Sequence, residues 1–292
     1  MRKAFIQLHV SILLAGFTGI LGKIITLNEG LLVWYRILIT IVVTGLILLP
    51  SGLLKRGTPA WPQTMHMMGT GMLLALHWVF FFGSIKASNV SIGVVCFSLT
   101  SLFTALLEPL LNRRSISVRE VLISLIPLAG ILLVFHFDIR YRTGILLGIA
   151  SALLAALFTI VNKQIAREHA PGVTLFYEMA GGFVCISLLM PFYLACFPVE
   201  SLTPGVSDLI WLLVFSVFCT VLLYLLQIEV LKSISAFTMN LSYNLEPVYS
   251  IAIAMLFLGE ARELNFSFYI GLALIFLSVL LQTKNILNPG ST

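Results

Sequence analysis

Ten apolar runs, each long enough to cross a lipid bilayer, take up almost the whole chain. A membrane-spanning helix needs about 20 mainly apolar residues. The runs predict helices over residues 4–26, 31–50, 64–85, 88–111, 118–137, 143–163, 172–197, 207–228, 236–258 and 266–284. Short connections with Pro, Gly or charged residues separate them and leave no room for a soluble domain. The sequence therefore predicts an all-α membrane protein with ten transmembrane helices.

The composition excludes a soluble globular protein of this length. Charged residues make up 10% of the chain and hydrophobic residues 59%, whereas soluble domains carry about 25% charged residues. The first apolar run is longer than that of a signal peptide, which is about 7–15 residues, so we predict that it is retained as the first helix. The four cysteines have no metal-ligand spacing, and we predict neither a metal nor a cofactor.

The distribution of cations predicts the orientation. With the N-terminus in the cytoplasm, eleven of the 17 Lys and Arg residues face inward, five face outward and Arg36 lies within the second helix. An excess of cations marks the cytoplasmic loops. We therefore predict an inner (cytoplasmic) membrane protein with both termini in the cytoplasm. No basic stretch carries interleaved aromatic residues, so no nucleic-acid partner is expected.

The two halves of the chain resemble each other. A shift of 146 residues places Trp78 on Tyr224 and Ser98 on Asn244, and a shift of 142 places Arg36 on Glu178. Since five helices per half is an odd number, the second half enters the bilayer upside down. We predict two inverted five-helix repeats, residues 1–138 and 139–292, with a substrate site between them near mid-membrane.

A motif in the second half resembles a known family. Glu246-Pro247 opens a helix of small residues, Gly259-Glu260 ends it, and Gly271 lies in the last helix. This pattern resembles the C-terminal repeat of EamA-type carriers of the drug/metabolite transporter superfamily, and the resemblance covers essentially the whole chain. It implies transport of amino acids and related metabolites, often as export.

The first half follows this family in part. Arg36, after Trp34 and Tyr35, resembles the family's arginine in the second helix. The fourth helix departs from the pattern, because Asn112-Arg113-Arg114 stands where the family has Gly-Glu. A symmetric gating role of the Glu260 position is therefore not expected in the first half.

Polar and aromatic side chains near mid-membrane predict a central cavity. Pro247 cannot donate a hydrogen bond to the carbonyl of Tyr243, and a freed carbonyl must find a partner or line a wet cavity. Aromatic walls with hydroxyl and amide groups suit a small amphipathic ligand. The alternative is helix packing through Ser, Asn and Gln hydrogen bonds. The predicted substrate-binding residues are Trp78, Ser98, Tyr224, Tyr243 and Asn244, with His77 and Gln227.

Five further residues are predicted to serve gating or structural roles: Arg36, Glu178, Glu246, Pro247 and Gly19. Ionisable groups inside a membrane are costly and are therefore functional candidates. For Arg36 and Glu178 the alternatives are substrate contact, and snorkelling or pairing with backbone carbonyls at the membrane interface. Inversion places them near opposite faces, so we do not expect them to pair. Gly19, in the stripe with Gly16 and Gly22, predicts close packing or a sliding gate.

The function predicted from these features is secondary transport by alternating access. No enzyme motif is present, so we do not expect an enzyme, and no ATPase motif is present, so proton or exchange coupling stays open. The central helices of the second half lack the cations that a phosphate needs. The expected substrate is thus a small neutral, zwitterionic or weakly cationic metabolite, carried by a monomer or homodimer in the lipid bilayer. The alternative is a non-transporting membrane component or a small-molecule sensor.

Overall fold

The computed structural model of the chain describes residues 2–51, 59–88, 93, 96–134, 142–246, 248–249, 270, 273–274 and 276–281. Within these residues the chain forms helices and no strand, which confirms the predicted all-α class. The helices are α1 (Arg2–Ile24), α2 (Glu29–Ser51), α3 (Trp61–Ala87), α4 (Leu99–Leu111), α5 (Val118–Val134), α6 (Arg142–Ala166), α7 (Pro171–Cys196), α8 (Val206–Leu231) and α9 (Ala236–Tyr243). Residues 276–281 are also helical.

Six of these helices are long and apolar enough to cross a membrane: α1, α2, α3, α6, α7 and α8. The chain is therefore a multi-pass membrane protein, as its apolar runs predict. The described parts of α4, α5 and α9 are shorter, at 13, 17 and 8 residues. Most of the tenth predicted helix lies outside the described residues, so the number of ten spans stays a prediction.

Local sequence explains where several helices begin. Pro62 lies in the first turn of α3, and Pro171 is the first residue of α7. Proline suits this position because the first helical N–H groups have no partner within the helix. The hydroxyl of Ser235 caps α9 by accepting a hydrogen bond of 3.0 Å from the backbone N–H of Thr238. These signals place the short connections between the helices.

Helices α3 and α7 make an unusually close contact in the interior. A Cβ atom built on Gly71 of α3 would overlap the backbone carbonyl of Glu178, and one on Gly181 of α7 would overlap the carbonyl of Met68. A Cβ atom on Gly182 would lie 3.0 Å from the carbonyl oxygen of Gly71. Glycine is required here because the two backbones touch. Since α3 belongs to the first predicted repeat and α7 to the second, the contact joins the two halves.

Polar contacts tie the helices together at both ends of α8, which is about 39 Å long at 1.5 Å per residue. Near its start, Asp208 accepts hydrogen bonds from the backbone N–H and the hydroxyl of Thr26, at 3.1 and 2.7 Å. Beyond its end, the carbonyl of Ile234 accepts a hydrogen bond of 2.6 Å from the ammonium of Lys163. At that second end, the carboxylate of Glu108 accepts a bond of 3.1 Å from the backbone N–H of Phe237.

Candidate functional site

A central cavity lies between α1, α2, α3, α6, α8 and α9, and its volume is about 70 Å³. A single enclosed water needs about 10–15 Å³ by such a measure, whereas pockets for drug-sized ligands measure about 300–1,000 Å³. The cavity therefore has room for a few waters in this conformation. Its walls carry seven of the predicted residues: Arg36, His77, Trp78, Tyr224, Gln227, Tyr243 and Glu246.

Arg36 reaches the cavity from α2 and is 2% exposed. Its Nε donates to the hydroxyl of Thr220 at 2.7 Å, and its Nη2 donates to the carbonyl of Cys219 at 2.9 Å. The guanidinium carbon lies 3.8 Å from the ring centroid of Trp78 and 4.0 Å from that of Phe215. A desolvated cation over an aromatic face gains about 2 kcal/mol. Of the alternatives from the sequence, pairing with a backbone carbonyl is observed, but in the buried interior and not at an exposed surface. Substrate contact stays a prediction.

The backbone that holds Arg36 is a π-helical segment within α8, Val217–Leu222. Such segments are rare and often occur at functional sites. In addition to the bonds to Thr220 and Cys219, the hydroxyl of Ser216 donates to the carbonyl of Arg36 at 3.2 Å. The guanidinium thus donates a hydrogen bond to the carbonyl of Cys219, which lies in the wider π-helical turn. This segment has no sequence signature, and sequence reasoning missed it.

Trp78 and Tyr224, which the predicted repeat relates to each other, are in direct contact. The indole Nε1 of Trp78 donates a hydrogen bond of 3.1 Å to the hydroxyl of Tyr224. Their rings meet edge to face with centroids 5.5 Å apart. The sequence predicted that both residues line one cavity, and the structure brings them together on its wall.

A second polar chain crosses the cavity wall from α8 to α1. The amide Nε2 of Gln227 donates to the hydroxyl of Tyr243 at 2.5 Å, and that hydroxyl donates to the hydroxyl of Ser11 at 2.9 Å. His77 faces α6 instead, where its Nδ1 lies 2.8 Å from the hydroxyl of Ser151. The imidazole is thus held by a neighbouring helix and also borders the cavity.

Ser98 and Asn244 are buried but are not among the cavity-lining residues in the described part of the chain. The side-chain amide of Asn244 donates to the hydroxyl of Ser101 at 3.3 Å, and this hydroxyl donates to the carbonyl of Ser98 at 3.0 Å. The pair therefore joins α4 to the end of α9, which is the packing alternative. A neighbouring residue that the predicted set omitted, Asn240, lines the cavity and bonds Thr104 at 2.8 Å.

The remaining predicted residues have different positions. Glu178 is fully buried in α7 and is not among the described residues that line the cavity. No ion pair joins it to Arg36 in the described part of the chain. Gly19 is half-buried in α1. Pro247 lies outside the described residues, so its effect on the carbonyl of Tyr243 stays a prediction.

Sequence reasoning missed several apolar cavity residues, among them Phe158, Cys219 and Met239. Phe158 packs edge to face on Tyr224, with centroids 6.0 Å apart. An apolar side chain in an apolar helix carries no signal that separates a cavity wall from a lipid-facing surface. The signal available for Asn240 was its helical spacing from Tyr243 and Asn244 on one helix.

The sequence and the fold of the chain are similar to those of known proteins. The EamA-like transporter family matches the chain twice, over residues 2–136 and 142–283. An uncharacterized transporter of Bacillus subtilis, YxxF, is 26% identical over 284 residues, which cover 94% of this chain and 87% of the relative. An uncharacterized transporter of Clostridium kluyveri is 22% identical over 281 residues, covering 91% and 88%. A solved crystal structure matches with a TM-score of 0.76 at 19% identity, covering 96% of this chain and 97% of the other.

Proposed function

The chain belongs to the EamA-like transporter family, and we propose that it is a secondary transporter that moves a small zwitterionic, amphipathic metabolite by alternating access. The proposal includes ten transmembrane helices in two inverted halves, residues 1–138 and 139–292. It also includes a cytoplasmic-membrane location, both termini in the cytoplasm, and export of an amino-acid-like substrate. Family membership fits a transporter rather than an enzyme.

The observation that carries the proposal is the presence of a guanidinium group and a carboxyl group on the wall of one aromatic-lined cavity. Arg36 and Glu246 both line it, and Trp78, Tyr224 and Phe158 supply apolar walls. A guanidinium has five N–H donors. Two hydrogen bonds of Arg36 are seen within the described residues, which leaves donors for a ligand carboxylate.

Glu246 supplies the complementary group. It is 6% exposed and lines the same cavity as Arg36. A carboxylate there can accept hydrogen bonds from a ligand ammonium, while Arg36 binds the carboxylate end. This arrangement favours a zwitterion among the neutral, zwitterionic and weakly cationic classes that the sequence allows.

The small cavity volume supports a conformational cycle. A space of about 70 Å³ is well below the volume of pockets for drug-sized ligands, so binding of a metabolite is expected to require that the helices move apart. The contacts of Thr26 with Asp208 and of Lys163 with Ile234 tie opposite ends of α8. Release of the contact at one end of α8, while the contact at the other end persists, would open the cavity to one side of the membrane, as inverted-repeat carriers require.

The experiment begins with a metabolite-export screen that compares an overexpressing strain with one lacking the gene. Purified protein in liposomes is then assayed with the exported compound, its carboxamide and its deaminated analogue. We expect only the zwitterion to be transported. Arg36→Lys should lower transport at least about tenfold, because Lys cannot form two directed bonds to a carboxylate.

A matched substitution, Arg142→Lys, lies at the exposed start of α6 and should leave transport unchanged. Transport of the carboxamide at the same rate as the zwitterion would contradict the assignment of Arg36. Equal transport by the Arg36→Lys protein would contradict it as well.

A further inference from the structure

Glu178 lies in α7, about two turns after the helix begins, and its side chain is completely buried. Both carboxyl oxygens are enclosed by protein atoms, and neither has a hydrogen-bond partner among the described residues. An ionised carboxylate at such a position is costly, because no donor among the described residues compensates its charge. The neutral acid is the form that suits this packing.

The burial of Glu178 depends on the contact between α3 and α7. The backbone of Glu178 itself touches Gly71, and Gly181 touches Met68 less than one turn further along α7. The two helices belong to different predicted halves, and alternating access moves such halves against each other. Separation of α3 from α7 would bring water to the carboxyl group and permit its ionisation.

Glu178 also contacts α3 close to the cavity, because Leu74, which lines the cavity, lies about one turn after Gly71. A charge that appears at Glu178 is therefore felt at the cavity, although Glu178 does not line its described part. Glu178 is therefore linked both to a contact between helices that move during transport and to the cavity, as a coupling group requires.

Most other titratable groups described on the elements around α7 have partners or are exposed, and Lys86 of α3 forms an ion pair of 3.6 Å with Glu29 of α2. The exception is Tyr193, whose buried hydroxyl lies about four turns further along α7 than Glu178 and has no hydrogen-bond partner among the described residues. Arg36 of α2 is bound to α8, His77 of α3 to Ser151, and Lys163 of α6 to the carbonyl of Ile234. Tyr224 of α8 accepts the bond from Trp78. On α7 itself, Tyr177 packs its ring on Phe176. His66 of α3 is exposed, so it is the group to control for.

We propose that Glu178 is the proton-binding group of a proton-coupled transport cycle. When α3 and α7 close, the carboxylate takes one proton from a hydronium ion and becomes a carboxylic acid, and a water molecule is left. When they separate, the acid returns the proton to water. This inference rests on the proposed transport function, because a proton gradient can drive only a protein that alternates between two sides.

The test measures access to the α3–α7 contact and needs no substrate. Thr174, one turn before Glu178, is completely buried. The full-length protein carries Thr174→Cys, its four native cysteines are changed to serine, and it is reconstituted in lipid vesicles. The rate of reaction with a membrane-permeant maleimide is measured from about pH 5 to about pH 8 with and without Glu178→Gln. The rate of the protein with Glu178 is divided by the rate of the Glu178→Gln protein. This ratio cancels the pH dependence of thiol ionisation, which both proteins share.

Release of one proton on opening increases the open fraction by up to about tenfold per pH unit. We expect the ratio of rates to rise with pH toward that limit, and His66→Gln to leave the rise unchanged. The same pH response with and without Glu178→Gln would overturn the proposal, as would loss of the response on His66→Gln.

If Glu178→Gln does not yield folded protein, the Thr174→Cys rate is divided by that of Ser201→Cys, which lies in an exposed connection. A flat ratio in the protein with Glu178 overturns the proposal. The labelling result and the transport result are separate. Transport of a compound from the export screen without a pH response of the labelling ratio contradicts proton coupling alone. A pH response of the labelling ratio, without transport of any compound from the screen in liposomes, contradicts the transport function.

Discussion

The indole N–H of Trp78 and the hydroxyl of Tyr224 form a hydrogen bond of 3.1 Å on the wall of the central cavity. The two residues lie 146 positions apart, and the predicted repeat places them at equivalent positions of the two halves. Each half thus contributes one amphipathic aromatic side chain to the same contact. The guanidinium of Arg36 lies over the Trp78 ring, and Tyr224 meets the same ring edge to face, so cation, indole and phenol form one cluster.

The bond between Trp78 and Tyr224 should contribute measurably to stability. Tyr224→Phe removes the acceptor and leaves a buried N–H unsatisfied, which costs about 1–3 kcal/mol. We expect a lower thermal unfolding midpoint of the purified protein, and Trp78→Phe in addition should lower it by less than the sum of the single effects. Tyr177→Phe, at a tyrosine whose ring packs on Phe176, is the control and should change little. Strict additivity of the two substitutions would refute the coupling.

The close contact of α3 with α7 predicts opposite effects for two neighbouring glycines. Gly71→Ala places a methyl group in the backbone of Glu178 and should destabilise the protein by about 1–3 kcal/mol. Gly69→Ala, two residues away on the same helix, meets no atom of the described residues within 4 Å. It should be neutral or stabilise by about 0.5–1 kcal/mol, because alanine favours a helix. Thermal unfolding of both variants measures the difference, and equal midpoints would contradict the packing.

Asn244 tests packing against ligand binding. Because its amide donates to the hydroxyl of Ser101 and does not line the described cavity, Asn244→Ala should lower stability by about 0.5–1.5 kcal/mol. Ser101→Ala should have a similar effect, and the double variant should lose little more. Unfolding midpoints together with transport rates provide the measurement. A large loss of transport at unchanged stability would instead favour the substrate contact expected from the sequence.

The orientation can be tested with two introduced cysteines. In a background without the native cysteines, Arg142→Cys should react with a membrane-impermeant maleimide added outside intact cells, and Lys55→Cys should react only after the membrane is opened. This expectation follows from the excess of cations on the predicted cytoplasmic side. Reaction of position 55 from outside would reverse the orientation.

The order of the helices could be predicted from the sequence because apolar runs about 20 residues long have one stable solution in a bilayer. The described helices follow the predicted order, and the boundaries of the six long helices differ from the predicted ones by a few residues: α3 begins at Trp61 where residue 64 was expected. The described parts of α4 and α9 are much shorter than the predicted runs. The repeat also predicted that Trp78 and Tyr224 share one cavity, since like segments of two repeats meet at their interface.

The tertiary structure decided what each buried polar group touches. Helical spacing tells which residues share one face of a helix, but it does not tell which helix lies opposite or how far a side chain reaches. Arg36 therefore could not be assigned to the cavity until the π-helical turn of α8 was seen to accept its hydrogen bonds. For the same reason Asn244 was expected in the cavity and is bonded to Ser101. The isolation of Glu178 depends on backbone contacts at Gly71, and only the packing of two distant segments creates them.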